Sequence, residues 1–246
     1  MGKKGRALIS IVMPAYNARD HIEGVFKRIP DEIWSDAVNC WVINDGSSDK
    51  TGALIDKLSQ ANPKIKPVHF EKNIGYGMAV CAGLLRCKND MCTVAVCLHA
   101  DGQYPPEILP RALETMRIKS YDIMQGSRIA SGTALSGGMP LYKYFANRAL
   151  TCIENKVFGL SMSDYHSGML FYGKKALDTL PFEKFSVSFD FDVEVIACGC
   201  AKGFSIGEIP IATHYGDEIS HVNSIAYGFR VINVMKKYLF GGYARL

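Results

Sequence analysis

Polar residues gather at four places in the first half of the chain, each close behind a short apolar run. The clusters are Pro14-Ala15-Tyr16-Asn17, Asn44-Asp45-Gly46-Ser47-Ser48, Asn73-Ile74-Gly75-Tyr76-Gly77 and His99-Ala100-Asp101-Gly102-Gln103. Apolar runs of this kind read as buried parallel strands, and an open parallel sheet binds its ligands at the carboxyl ends of the strands. Four polar tips would then line one cleft. Singly, each tip is ambiguous, because Asp, Gly and Ser are also what a strand-to-helix turn and a helix cap require. Gly75-Tyr76-Gly77 resembles the start of a dinucleotide fingerprint. Val80 stands where the third glycine belongs, however, and the run follows the third strand and not the first, which argues against an NAD site. Glycine ahead of a helix still lets backbone amides approach an anion.

The elements that must position these tips follow from periodicity. Strands are expected at 7–13, 40–44, 65–70, 93–98 and 122–126. Between them, 18–28, 50–61 and 75–87 have helical spacing of apolar residues, and a further helix starts after Pro105-Pro106 and runs to about 118. The alternation predicts an α/β fold, a mostly parallel sheet flanked by helices. The second half is less regular. A Gly- and Ser-rich stretch at 131–140 reads as a mobile loop. Helices are expected at 141–158 and 192–201, strands at 169–172 and 205–211, and an amphipathic, aromatic and basic helix at 222–240. Domain boundaries are placed at 1–221 for the main domain and 222–246 for a C-terminal helical extension.

Composition excludes several classes. The 246 residues, 48% hydrophobic and 21% charged, suffice for a sizeable core, and the net charge of +4 comes without a basic run, so nucleic acid is not an expected partner. The eight cysteines include no CxxC pair and read as free thiols in a reducing compartment. No apolar run nears the ~18 residues that cross a bilayer, and the basic start at Met1 to Arg6 makes a poor signal peptide. A cytoplasmic protein is expected.

Further segments join the four tips: Tyr104-Pro105-Pro106-Glu107 after Gln103, Gly126-Ser127-Arg128, Asp164 to Gly168, Glu208-Ile209-Pro210, and Tyr215 to Asn223. Jointly and in this order they resemble the GT-A fold of family-two glycosyltransferases, most of all the polyprenyl-phosphate sugar synthases typified by dolichyl-phosphate mannose and glucose synthases. The likeness covers nearly the whole chain. It implies a Rossmann-like nucleotide-diphospho-sugar transferase that inverts the anomeric carbon as it moves a hexose from a GDP- or UDP-sugar to a polyprenyl phosphate. Pro14, Tyr16 and Asp45 would hold base and ribose, with Asn17, Asn44, Asn73, Ala100 and His214 also around the donor. Asp101 would centre a Mn2+ or Mg2+ site, with Gln103 and His99 as further ligands. Arg128, taken with Asp101 as catalytic, and Arg148 would add positive charge at the diphosphate. A lipid phosphate is already an anion and needs no general base. The acceptor would demand peripheral contact with a membrane face or a membrane subunit, and the 222–240 helix, through Tyr227, Phe229, Tyr238 and Phe240, either supplies it or packs on the domain.

Departures from that pattern stand beside the matches. His99 replaces the aspartate that usually opens the metal motif, and imidazole suits Mn2+ or another transition ion better than Mg2+. Ala18, Leu170 and His214 occupy positions that are commonly acidic, arginine and arginine. His214 and His221 flank Gly216-Asp217-Glu218, a loop that reaches a diphosphate or metal or is merely solvated. Two rivals follow. Transfer to a carbohydrate hydroxyl would need a carboxylate base, with Asp190, Asp192 or Glu194 as candidates. A nucleotide-sugar-binding subunit without turnover would bind the donor indifferently to metal.

Overall fold

The computed structural model describes residues 8–212 and 224–246. In chain order the elements are β1 (Ile9–Ala15), α1 (Ile22–Arg28), α2 (Asp31–Asp36), β2 (Ala37–Asp45), α3 (Thr51–Ala61), β3 (Ile65–Phe70), α4 (Tyr76–Asn89) and β4 (Val94–Cys97). There follow α5 (Leu109–Lys119), β5 (Ile123–Ser127), α6 (Leu141–Phe158), β6 (Leu170–Gly173), α7 (Lys174–Thr179), α8 (Phe191–Ala201), β7 (Ile206–Pro210) and α9 (Ser224–Leu239). Among the described residues the strands form one seven-stranded sheet in the order β3-β2-β1-β4-β6-β5-β7. β1 runs parallel to β2 and β4, β2 to β3, and β5 to β7. β6 alone is antiparallel, to both β4 and β5.

Helices cover both faces, so β1 is buried on both sides and not alternating, and its one polar residue, Ser10, donates to Asp90. Ile9, Ile11 and Met13 face one core with α1, α2 and α5, whereas Val12 faces the other with α4, α7 and α8. α9 contributes Val231, Val234 and Met235 to that second core, and Tyr243 behind it is fully buried. Its opposite face leaves Ile225, Phe229, Leu239 and Phe240 in solvent. Tyr227 and Tyr238, read in the sequence as membrane-facing candidates, turn inward instead: Tyr238 packs edge-on to Phe158 and Tyr227 bonds His166.

Helix α1 starts later than periodicity predicts. Residues 18–21 are a turn in which Ala18 donates to Thr51 Oγ1 and accepts from His21 and Ile22. α2 and α7, six residues each, are too short to show a helical period and went unpredicted. The 131–140 stretch is a run of hydrogen-bonded turns anchored by buried Ala134 and Met139, and not an open loop. All eight cysteines are free thiols.

The Gly75-Tyr76-Gly77 turn gives anions no approach. The backbone at 186–188 already lies against it: Gly77 donates its N–H to Val187 O at 3.0 Å, and Gly75 holds φ +98° with the same carbonyl 2.5 Å from where a Cβ would stand. A methyl at 77 would collide with the carbonyl oxygens of Ser186 and Ser188. Gly77→Ala is therefore expected to destabilise the protein by about 1–3 kcal/mol, read as a lower denaturation midpoint. A midpoint equal to that of the wild type would show that the 186–188 segment yields freely.

Candidate active site

The tips of β1, β2 and β4 lie side by side in the parallel sheet, and hydrogen bonds join the β1 loop to the β2 loop and the β2 loop to the β3 loop. Asn17, at φ +49°, donates its N–H to Ser47 Oγ and accepts from Ser48 N through Oδ1, both at 2.9 Å. Tyr16 beside it is exposed and Pro14 half-buried. Asn44 is buried and spans Ser47 N and His69 Nδ1. Asp45 is buried as well, and its two oxygens accept from Ile74 N at 2.7 Å and Gly75 N at 3.2 Å; Asn73 Oδ1 accepts from Gly75 N too. These groups shape the cleft wall by closing their own loops. Asp45, with four acceptor positions and two in use, keeps capacity for a ligand.

At the β4 tip, His99 and Asp101 face each other, with Nδ1 and Oδ2 4.0 Å apart. The second Asp101 oxygen accepts from Gln103 N at 3.0 Å, which aims Oδ2 at the histidine; Ala100 between them is buried. The His99 ring is caged edge-on by Tyr76 and Tyr104, at centroid distances of 5.3 and 5.0 Å, and by Gly168, where a Cβ would stand 2.5 Å from the ring. Burial lowers the His99 pKa and the Asp101 charge only partly opposes it, so near neutral pH the ring is an uncharged imidazole. A neutral nitrogen and a carboxylate oxygen 4.0 Å apart are a donor set that fits a divalent ion. No cluster of three or more His, Cys, Asp or Glu occurs among the described residues.

Arg128, just past β5, forms a two-pronged pair with the fully buried Asp164, Nε to Oδ2 at 2.8 Å and Nη2 to Oδ1 at 3.2 Å. It also donates to His166 O at 2.9 Å. Burial alone would raise the Asp164 pKa, but the Arg128 charge and its hydrogen bonds prevail and hold the carboxyl well below the usual range. The charge of Arg128 is also felt at His99 and Tyr104. Arg128 thus stands beside the strand tips as a structural cation. Arg148 does not join it: it lines a groove of about 490 Å3 with Thr151, Cys152 and Lys156 on α6. His214, with His221, lies outside the described residues.

Of the three carboxylates of the 190–194 segment, Asp190 and Glu194 line a groove of about 350 Å3 with Ser186, Arg230 and Lys237, and each is bonded there. Asp190 accepts from Ser186 Oγ and lies 3.6 Å from Arg230. Glu194, a candidate base from the sequence, is buried and bound to Ser186 N, Lys237 and Tyr243. Asp192 accepts from the Tyr76 hydroxyl at 2.8 Å.

These tips, this sheet order and these loops invite comparison with known proteins, and a family model for "Glycosyl transferase family 2" matches residues 10–180. The chain belongs to that family. A UDP-N-acetylglucosamine–dolichyl-phosphate N-acetylglucosaminyltransferase of Methanococcus voltae is 25% identical over 91% of this chain and 93% of its own. A polyprenol monophosphomannose synthase of Mycolicibacterium smegmatis is 27% identical over 82% of this chain and 75% of its own. Among solved structures, glucosyl-3-phosphoglycerate synthase of Mycobacterium tuberculosis, in complex with Mn2+, UDP and glucosyl-3-phosphoglycerate, superposes with a TM-score of 0.70 at 15% identity, covering 94% of this chain and 80% of that one. The transferase therefore has the GT-A fold expected from its sequence.

Sequence reasoning left Tyr76, Asp164 and His166 without roles, although all lie in segments it singled out, and it considered Asp192 only as a base. Burial is the chief cause that pushes the Asp192 pKa up to about 7; the Tyr76 hydrogen bond pulls against the rise and the Asp190 charge adds to it. The unfolded carboxyl titrates at about 3.9. Between these values the native state keeps a proton that the unfolded state has released, so stability falls as pH rises through the window, and the full cost is present above it. Asp192→Asn removes the cost. Its stability relative to wild type is expected to improve by about 3 kcal/mol from pH 5 to pH 8, measured by denaturant unfolding; a pH-independent difference would refute the burial cost.

Proposed function

We propose that the transferase moves a hexose from a GDP- or UDP-sugar to a polyprenyl phosphate, with inversion, in dependence on a divalent ion held by His99 and Asp101. The observation that carries this reading is the aimed pair of neutral imidazole and carboxylate at the β4 tip, in a family-two chain whose relatives are named for dolichyl and polyprenol phosphates. The Mn2+ and UDP of the structural neighbour support the choice of ion. Breaking the bond to the sugar leaves negative charge on the diphosphate, which a bound divalent ion would stabilise. Gln103 stands next in the same turn as a further oxygen ligand. Pro14, Tyr16, Asn17, Asn44, Asp45 and Asn73 form the wall against which base and ribose would lie, and Arg128 adds a fixed positive field.

The state of the 190–194 carboxylates supports a phosphate acceptor. A hydroxyl acceptor needs a base in the cleft, and Asp190 and Glu194 are tied into ion pairs while Asp192 is 5% exposed. A lipid phosphate also explains the apolar surface at the starts of α6 and α9, where Leu141, Tyr142, Phe145, Ile225 and Phe229 are all exposed. No helix of the described residues is long and apolar enough to cross a membrane. Exposed aromatic and aliphatic side chains with Arg148 and Lys236 on the same helices suit shallow contact with an anionic headgroup layer, which would place the enzyme on a cytoplasmic membrane face.

Calorimetric titration with GDP- and UDP-sugars, in Mn2+, Mg2+ and chelator, tests the donor: metal-dependent binding of one donor is expected, and binding unaffected by chelator would favour a subunit without turnover. Asp101→Ala should abolish metal-dependent transfer while leaving the unfolding midpoint near wild type. Normal transfer by that variant would sink the metal assignment. His99→Asp should shift the preference towards Mg2+; an unchanged preference would remove His99 from the ligand set.

A further inference from the structure

The Tyr76 hydroxyl behind the ring and the Gly168 backbone beside it both bear on which nitrogen of His99 faces Asp101 as a lone pair. Nε2 lies 3.2 Å from the Tyr76 hydroxyl, and that hydroxyl donates to Asp192 Oδ2 at 2.8 Å. Where Asp192 is ionised, the Tyr76 proton is committed to it, the Tyr76 oxygen is an acceptor towards His99, and Nε2 carries the ring hydrogen. Nδ1, 4.0 Å from Asp101 Oδ2, is left with its lone pair directed at the carboxylate side.

The chain is built to keep this arrangement. Tyr76 stacks on Phe189 at 5.2 Å and 16°, which leaves its hydroxyl little room to turn, and Tyr104 holds the other side of the His99 ring while its own hydroxyl accepts from Gly168 N. Asp192 sits in the first turn of α8, and its second oxygen is buried with no partner among the described residues. An unsatisfied buried carboxylate oxygen is costly, so packing does not explain the residue. Its side-chain hydrogen bond among the described residues ends at Tyr76, directly behind the imidazole.

We propose that Tyr76 and Asp192 are positioning residues that lock His99 in the Nε2–H tautomer, so that Nδ1 and Asp101 together present an imidazole–carboxylate pair to a divalent transition ion. The proposal rests on the metal reading given above and deepens it: the ion selected is one that accepts nitrogen, Mn2+ ahead of Mg2+. An imidazole ligand ordinarily donates its other N–H to an outer acceptor, and loss of that acceptor lowers metal affinity ten- to hundredfold.

The test uses the full chain at pH 8, labelled with 15N-histidine, and compares wild type with Tyr76→Phe, Asp192→Asn and Asp192→Leu. Without metal, the ring-nitrogen shifts of His99 should report the pure Nε2–H tautomer in wild type and in Asp192→Asn, whose amide oxygen still accepts from Tyr76. A tautomer mixture is expected in Tyr76→Phe and Asp192→Leu. With Mn2+ added in the presence of UDP or of GDP, the electron-spin signal of free Mn2+ should give an affinity at least tenfold weaker in those last two variants. An Nδ1–H tautomer in wild type, or a tautomer and Mn2+ affinity unmoved in both Tyr76→Phe and Asp192→Leu, would overturn the positioning role and leave the metal site standing. A wild type that binds no Mn2+ with either nucleotide would overturn the metal reading along with it.

Discussion

A fully buried carboxylate persists only where its desolvation is offset several times over, and Asp164 meets that demand with groups from three parts of the chain. Arg128 reaches it from the end of β5, Asn147 from α6, and the N–H of His166 from its own loop. Removing a partner from such a pair costs about 3–5 kcal/mol because a charge is stranded. The loop that carries Asp164 is consequently pinned at every step. Asn155 binds Met162 through both its amide groups, Glu208 takes Ser163, and Gln125 donates to Ser167 O. Gly168 ends the series against His99. The position of the imidazole is thus the far end of a framework whose anchor is an ion pair.

That framework assigns Arg128 two tasks that need not compete. A guanidinium has five donors in a fixed fork, and three of its contacts hold Asp164 and the His166 carbonyl. Its charge nonetheless acts over distance, depressing the pKa of both His99 and Tyr104 in concert with, or against, their burial. A cation fixed by structure costs no reorganisation when negative charge develops nearby. Being held in place is therefore an asset in the role proposed for it and not an argument against it.

The sheet was legible because its signal is local. The seven expected strands form, displaced by at most three residues at their ends; the central ones are largely apolar because helices cover both faces, whereas the edge strands β3 and β7 admit Lys66, His69 and Glu208. Elements of six residues, α2 and α7, lack the length to express a period. The strand-tip residues were legible as a group because polar side chains after buried strands need a reason to be there. Their partners were not. That Asp45 closes on Ile74 and Gly75, that the Gly75–Gly77 turn is filled by 186–188, and that Glu194 pairs with Lys237 and Tyr243 are contacts between segments up to about a hundred residues apart or more. No spacing encodes them. Asp192 shows the limit best: the sequence shows a carboxylate near a helix start, and only the fold puts Tyr76 against it.

The last helix illustrates how one amphipathic pattern can serve two neighbours. Its inner face does more than fill space, for Tyr227 places its hydroxyl 2.9 Å from His166 Nδ1 while Glu154 of α6 stands 3.1 Å from Nε2. His166 is thereby held by Tyr227 on one side and faces the buried Glu154 on the other, and its carbonyl is the one that Arg128 binds. Two residues on, Phe229 is 65% exposed. Surface and strand tips are joined by a short path of direct contacts: outer face of α9, Tyr227, His166, Arg128. A helix that presents apolar side chains outward while bracing the loop behind the site suits the proposed reaction, in which one substrate would be dissolved and the other would lie in a lipid surface, because the same element could meet that surface and keep the cleft in register with it.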